Sequence, residues 1–225
     1  MRVLASADVH GKWPVYQWLI AVAREQGVQA IVLAGDLLGC PDGFDTPQQA
    51  QLHEAGILVE FLDGAPVPVF YIMGNDDLVE LNSRSNRVQS LQGRRVQTGQ
   101  FAYVGYQCSL PFMGGTFEKP EDGIESDLRD LTELLDAETV VVTHSPVLGV
   151  LDPGFGETQI GSRSLAAFLG KRPFLAHIHG HSHAGFGREG RHFNIASAGR
   201  ERAMIIDLET LRHEVVGLER PELDG

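Results

Sequence analysis

The chain has 225 residues, 43% of them hydrophobic and 21% charged, which excludes a disordered chain and leaves apolar mass for a sizeable core. Eighteen Lys and Arg stand against thirty Asp and Glu, a formal net charge of −12, so a basic footprint for long nucleic acid is absent at chain level. No apolar run approaches the ~18–20 residues that span a bilayer, and MRVLASADVHG leads straight into a strand pattern rather than a secretory signal. With only Cys40 and Cys108, these features set the expectation of a cytoplasmic protein without a membrane partner or disulfide framework.

Val3-Leu4-Ala5 is a short apolar run, read as a strand, that leads to Asp8. Pro14 suits a first helical turn, Val15, Trp18, Leu19 and Val22 share one helical face, and Gly27 closes that helix. Ala30 to Ala34 reads as a strand buried on both faces, ending at Gly35-Asp36. Thr46-Pro47-Gln48-Gln49 predicts a second helix start, with Leu52, Ala55, Val59 and Leu62 as its buried stripe up to Gly64. Val67 to Met73 is a third strand, ending at Gly74-Asn75. This β-α-β-α-β order implies a largely parallel sheet with helices on its faces.

Residues 78–100 carry Arg84, Arg87, Arg94 and Arg95 with little periodicity and are expected to form a solvated loop rather than an anion site. Phe101 to Tyr106 reads as a strand, Ile124, Leu128, Leu131 and Leu135 mark a helix, and Val140 to Val142 is a strand ending at Thr143-His144. A Gly-rich loop over 149–163 precedes a short helix from Ser164 to Leu169, then a strand from Phe174 to His179 that ends at Gly180-His181. Short strands are expected near 191–196, 202–207 and 212–217. Nothing resembling a repeat, low-complexity tract or linker interrupts the chain, so one domain over 1–225 is expected.

Five polar clusters fall where strands end: Asp8-Val9-His10, Gly35-Asp36, Gly74-Asn75-Asp76-Asp77, His144, and Gly180-His181-Ser182-His183. Ligand sites of parallel α/β sheets lie beyond the carboxyl ends of strands, and each cluster offers oxygen or imidazole donors suited to divalent metals. The i, i+2 spacing of Asp8/His10 and His181/His183 points both side chains of each pair to one side of an extended segment. The glycines beside Asp36, Asn75 and His181 are expected to let the backbone turn sharply. Each cluster alone is a weak signal; five in one order are not.

This pattern, D-x-H, G-D, G-N-[HD]-[ED], H, then G-H-x-H, resembles the calcineurin-like metallophosphoesterase superfamily over residues 3 to about 196. The stretch THSPVLGVLD, the run Ile160-Gly161-Ser162-Arg163-Ser164-Leu165 and Asn194-Ile195-Ala196-Ser197 are similar to smaller bacterial members and to the metallophosphoesterase-domain brain proteins. The resemblance implies a four-layer αββα sandwich of two mixed β-sheets flanked by helices, with two divalent metal ions, Mn, Fe, Zn or Ni, at the strand ends. It assigns Asp8, His10, Asp36 and His183 to the first ion and Asp36, Asn75, His144 and His181 to the second, with Asp36 bridging. The implied reaction is hydrolysis of a small phosphodiester, cyclic or linear, or of a phosphomonoester, by a metal-bridging hydroxide. The partner is then a small anionic phosphate ester; long nucleic acid is disfavoured by the charge balance.

Position 76 departs from the commonest form of the pattern, G-N-H-[ED], whose histidine is thought to contact the phosphate or help protonate the leaving oxygen. Asp76 and Asn75 are the candidate catalytic residues. An aspartate beside two cations is expected to be ionised and a poor proton donor, and Asp77 sits where the family supports its histidine. Arg163 is the candidate for a phosphate contact. Gly180-His181-Ser182-His183-Ala184-Gly185 superficially resembles a nucleophile elbow, with Asp207 and His213 in serine-hydrolase order, but no helix pattern follows Ser182. A non-catalytic metal-binding module on the same fold is the other alternative. His177 and His179 are expected to be sheet residues, His53 and His213 to be peripheral, and His192 or Asn194 to reach the site mouth.

Overall fold

The computed structural model describes residues 1–156 and 158–217; residue 157 of the Gly-rich loop and the last eight residues of the expected domain lie outside the described residues. Its elements in chain order are β1 (Arg2–Ser6), α1 (Trp13–Glu25), β2 (Ala30–Ala34), α2 (Pro47–Asp63), β3 (Val69–Ile72), β4 (Val88–Ser90), β5 (Arg95–Thr98) and β6 (Phe101–Tyr106). There follow α3 (Glu121–Asp130), β7 (Thr139–Thr143), α4 (Arg163–Leu169), β8 (Ala176–His179), β9 (Gly187–Glu189), β10 (His192–Asn194), β11 (Arg202–Asp207) and β12 (His213–Gly217).

The strands form two mixed six-stranded sheets, ordered β12-β11-β1-β2-β3-β4 and β5-β6-β7-β8-β10-β9. Neighbours from β1 to β4 are parallel, as are β6, β7, β8 and β10, while β11, β12, β5 and β9 join antiparallel. Alternation within the strands makes the layers. Val3, Ala5, Val32, Phe70 and Ile72 of the first sheet meet Tyr103, Val140, Val142, Ile178 and Phe193 of the second in one buried apolar layer. The intervening positions, such as Leu4, Ile31, Leu33 and Val141, cluster instead with helix side chains including Tyr16, Leu19, Leu58, Ile124 and Leu165. Helix, sheet, sheet and helix thus stack as the four-layer sandwich that the motif pattern implied. Each fully buried Leu, Ile, Val or Phe contributes ~1.5–3 kcal/mol to this packing.

Parallel register aligns the carboxyl ends of strands. Ser6 is level with Leu33, Ala34 with Ile72, and Thr143 with both Tyr106 and His179. Beyond β1, Ala7 bonds Ile195 and Ser197 just past β10, so the two sheets are joined at this end.

Three local expectations are corrected. Residues 78–100 are not one loop: β4 extends the first sheet and β5 edges the second. On α2 the buried face is Gln51, Glu54, Ala55, Leu58 and Leu62, whereas Leu52 is 59% exposed and Val59 only half-buried. That face carries polar groups because α2 leans on the site loops as well as on the core. The helix over Ile124 stops at Asp130, and Thr132–Leu134 tightens into a single 3₁₀ turn.

Candidate metal centre

The loops that leave β1, β2, β3, β7 and β8 converge on one spot, and their backbones are strained there. Asp8, His10, Asp36 and His181 all adopt left-handed φ, at 56°, 50°, 51° and 66°. Such a conformation in a non-glycine residue costs of order 1–3 kcal/mol and persists only when the surroundings over-determine it. The glycines act differently from the sequence expectation. Gly35 does turn with φ of 91°, but Gly74 and Gly180 are not in the left-handed region. They make room: a Cβ on Gly74 would collide with the Asp36 carboxylate and stand 2.7 Å from His144 Cε1, and one on Gly180 would collide with Asp8. A Cβ on Gly35 would lie 2.5 Å from His144 Nδ1.

Three overlapping sets of donors result, each with its ligand atoms within 4.8 Å of one another: Asp8, His10 and His183; Asp36, His144 and His181; and His10, Asp36 and Asp76. His183 Nε2 is 3.2 Å from Asp8 Oδ1, and both Asp8 oxygens accept from the His181 amide at 3.1 Å. His144 Nε2 lies 3.3 Å from Asp36 Oδ2 and 2.9 Å from Asn75 Oδ1. His144 Nδ1 is 2.9 Å from the Ala34 carbonyl, which can only accept, so Nδ1 carries a proton, while Nε2 faces the acceptor oxygens of Asp36 and Asn75 and is the nitrogen an ion there would engage. All seven residues named as ligands from the sequence, Asn75 included, are brought to this one place.

Electrostatics tests whether a metal fits. Asp8 and Asp36 are buried, and among the described residues neither has a Lys or Arg at salt-bridge distance; histidines are the partners in contact with them. Burial would raise the Asp36 carboxyl, but the charge and hydrogen bond of His144, with His10 behind, hold it below the usual value. Burial would lower His144, yet Asp36 drives it up. His181 is pushed down to about 4 by burial and by His144. Imidazole nitrogens and carboxylate oxygens clustered without a fixed cation suit a divalent transition metal.

Other side chains hold these loops. Asp77 is fully buried, and its carboxylate accepts from the amides of Leu37 (3.0 Å), Leu38 (2.8 Å) and Gly74 (2.8 Å). It therefore ties the loop after β2 to the loop after β3, rather than supporting a side chain at position 76. Two residues of α2 escaped the sequence reading. Gln51 donates to Asp76 O at 2.8 Å and accepts from Leu78 N at 2.6 Å, and Glu54 accepts from Gly39 N at 2.6 Å. Their one signal was polarity on the face that carries Ala55, Leu58 and Leu62.

Arg163 is not brought to the centre. It opens α4 with a side chain 77% exposed and its Nε 3.8 Å from Glu121, on a surface cavity of about 480 Å³ shared with Glu125, Arg129, Lys171 and Arg172. Glu121 takes the Ser162 hydroxyl and the amides of Arg163 and Ser164, which fixes Arg163 beside α3. Ser182 is buried and donates to Pro153 O at 2.6 Å, while Asp207 and His213 lie on β11 and β12 of the other sheet, so no serine triad forms. Neither His192 nor Asn194 reaches a site mouth. His192 Nδ1 sits 2.9 Å from His177 Nδ1, and buried Asn194 bonds the carbonyls of Ser182 and Leu151. His177 also bonds Thr143 Oγ1 at 2.8 Å and stacks on His179, as expected of sheet residues. His53 lies against Phe44.

The structure is similar to a protein of Thermus thermophilus, with a TM-score of 0.72 at 16% identity, covering 96% of this chain and 98% of that one. It is also similar to a dimetal phosphatase from Danio rerio, with a TM-score of 0.60 at 13% identity and coverage of 96% and 98%. An archaeal phosphodiesterase gives a TM-score of 0.51 at 13% identity, covering 97% and 100%. At these identities the likeness shows the fold. No curated protein matches the sequence significantly. The family model for calcineurin-like phosphoesterases matches residues 1–185, a span that contains every candidate ligand, and the chain belongs to that family.

Proposed function

We propose that this chain, acting as one cytoplasmic domain, is a dinuclear metal-dependent hydrolase of a small phosphodiester or phosphomonoester. The observation that carries the reading is the pair of donor sets, Asp8-His10-His183 and Asp36-His144-His181, linked where His10 of the first comes within 4.8 Å of buried Asp36 of the second. Asp8, His10, Asp36 and His183 would hold one ion, and Asp36, Asn75, His144 and His181 the other, with Mn, Fe, Zn or Ni compatible with the donors. Bound there, divalent ions supply acidification of a water and neutralisation of charge on the phosphoryl group.

The protein's own residues position that chemistry. Asp36 faces His144 with one oxygen and accepts the Asp76 amide with the other, so both of its oxygens are held in place. Asn75 presents its carbonyl to His144 and directs its amide to Asp76 Oδ1 at 2.9 Å. A dimetal phosphatase and a phosphodiesterase among structures of the same fold support the reaction class. A non-catalytic metal-binding module on the same fold is the alternative reading, and turnover separates the two. The apolar layer shared by both sheets supports the single domain, and the free thiols of Cys40 and Cys108 suit a reducing compartment. Among the described residues, no helix is long and apolar enough to cross a membrane.

The test is a screen of Mn²⁺- and Zn²⁺-loaded protein against bis-p-nitrophenyl phosphate, p-nitrophenyl phosphate and 2′,3′- and 3′,5′-cyclic nucleotides. Hydrolysis is expected with at least one ester, abolished by chelator, and lost more completely in Asp36→Asn than in His10→Ala. Metal binding with no turnover of any ester would establish the module reading instead.

A further inference from the structure

We infer that Asp76 is itself a ligand of the metal centre, a third carboxylate on the side of His10 and Asp36. The inference rests on the metallophosphoesterase reading and goes beyond the ligand set that the motif pattern implies. Asp76 Oδ2 is 3.5 Å from His10 Nδ1, and ligand atoms of His10, Asp36 and Asp76 lie within 4.8 Å of one another. This set shares His10 with one donor group and Asp36 with the other, so Asp76 sits where the two groups meet.

The carboxylate is aimed there by its surroundings. The Asp76 amide donates to Asp36 Oδ1 at 2.9 Å, Asn75 Nδ2 donates to Asp76 Oδ1 at 2.9 Å, and Gln51 grips the Asp76 carbonyl from α2. Oδ2 is left toward His10. Among the described residues, no Lys or Arg pairs with Asp76, although Asp36 lies beside it. The Asp76 side chain is 48% exposed, yet its Oδ2 turns inward to His10 rather than out to solvent. A neutral imidazole at this position can donate to a phosphate oxygen, whereas an ionised carboxylate can only accept, and an ion held by His10 and Asp36 would offer Asp76 Oδ2 an acceptor-seeking partner in addition to His10. An added carboxylate also shifts the donor set toward harder ions such as Mn²⁺.

The experiment is Mn²⁺ titration of the full chain by calorimetry, on wild type, Asp76→Asn, Asp76→Glu and His10→Asn, with crystals grown in Mn²⁺. Asp76→Asn preserves size and the contact with Asn75, and its fold is verified by circular dichroism. The expected result is weakening of one Mn²⁺ site by roughly tenfold or more in Asp76→Asn, partial recovery in Asp76→Glu, and a direct Asp76 carboxylate–Mn²⁺ contact in the crystal. Removing even supporting groups of metal ligands typically weakens affinity ~10–100-fold. Unchanged affinity in Asp76→Asn, or an Asp76 side chain out of contact with any ion, would overturn the inference while leaving the phosphoesterase reading intact. A wild-type chain that binds no Mn²⁺ or Zn²⁺ would instead sink the phosphoesterase reading itself, and this inference with it.

Discussion

At the scale of single residues, the centre is built as much by missing atoms as by ligands. Gly74 shows this most sharply. Its φ is ordinary, so glycine is not required for backbone freedom; the space of its absent Cβ is filled by Asp36 and His144. Gly74→Ala should therefore displace both ligands together. We expect a loss of roughly 1–3 kcal/mol in stability, the usual penalty of overpacking, and loss of the Asp36-His144 metal site. Urea denaturation and Mn²⁺ titration measure the two effects; a variant with normal stability and metal content would show that the pocket yields. Asp77 makes the complementary point. Its carboxylate is taken up by three backbone amides, so it holds the backbone of the two loops rather than a neighbouring side chain.

At the scale of elements, α2 is a support strut as well as a core helix. Thr46 caps it by accepting from Gln49 N at 3.2 Å, as the sequence suggested, and Ala55, Leu58 and Leu62 anchor it to the first sheet. One turn from its start, Gln51 spans the backbone of Asp76 and Leu78. Gln51→Leu removes both bonds while keeping bulk, leaving a part-buried amide and carbonyl without partners. A cost of ~1–3 kcal/mol in stability follows from such unsatisfied groups. Because the freed peptide carries Asp76, hydrolysis of bis-p-nitrophenyl phosphate should fall in the same variant, whereas Leu52→Gln on the exposed face should change neither. Equal behaviour of the two variants would remove α2 from the account of the site.

At the scale of the whole molecule, buried histidines tie stability to pH. Burial, first of all, holds His177 well below the usual histidine value, and brings His179 to about 3 and His181 to about 4. In the unfolded chain each protonates near the ordinary value of about 6.5. Below that pH the unfolded state binds more protons, so these groups contribute stability that is complete above about pH 6.5 and drains away as pH falls toward ~3–4. His144 and His183 are raised, and burial pushes Asp77 up to about 8, so between about pH 7 and pH 5 these groups gain stability as acid is added and partly offset the slope from the depressed histidines. The metal-free protein should lose up to ~1.4 kcal/mol per pH unit for each depressed histidine as acid is added. Urea denaturation in chelator at about pH 7 and about pH 5 tests this, and His177→Gln should flatten the slope. A pH dependence in His177→Gln as steep as in the wild type would contradict it.

Much of this protein could be read from its sequence. Runs such as AIVLA and TVVVT are buried strands wherever they occur in such an α/β alternation, and donors placed where those runs stop must gather once the strands are parallel. That is why Asp8, His10, Asp36, Asn75, His144, His181 and His183 were legible as one cluster. The tertiary structure decided what depends on partners distant in the chain. The short strands β4, β5 and β9 exist only through ladders to neighbours, and carry too few residues for a local pattern to show. Gln51, Glu54 and Asp77 are polar residues whose burial is explained only by the loops they grip, and Arg163 follows Glu121 rather than the centre. Local sequence sets backbone preference and donor chemistry, but which of those donors meet one another is fixed by packing across the two sheets.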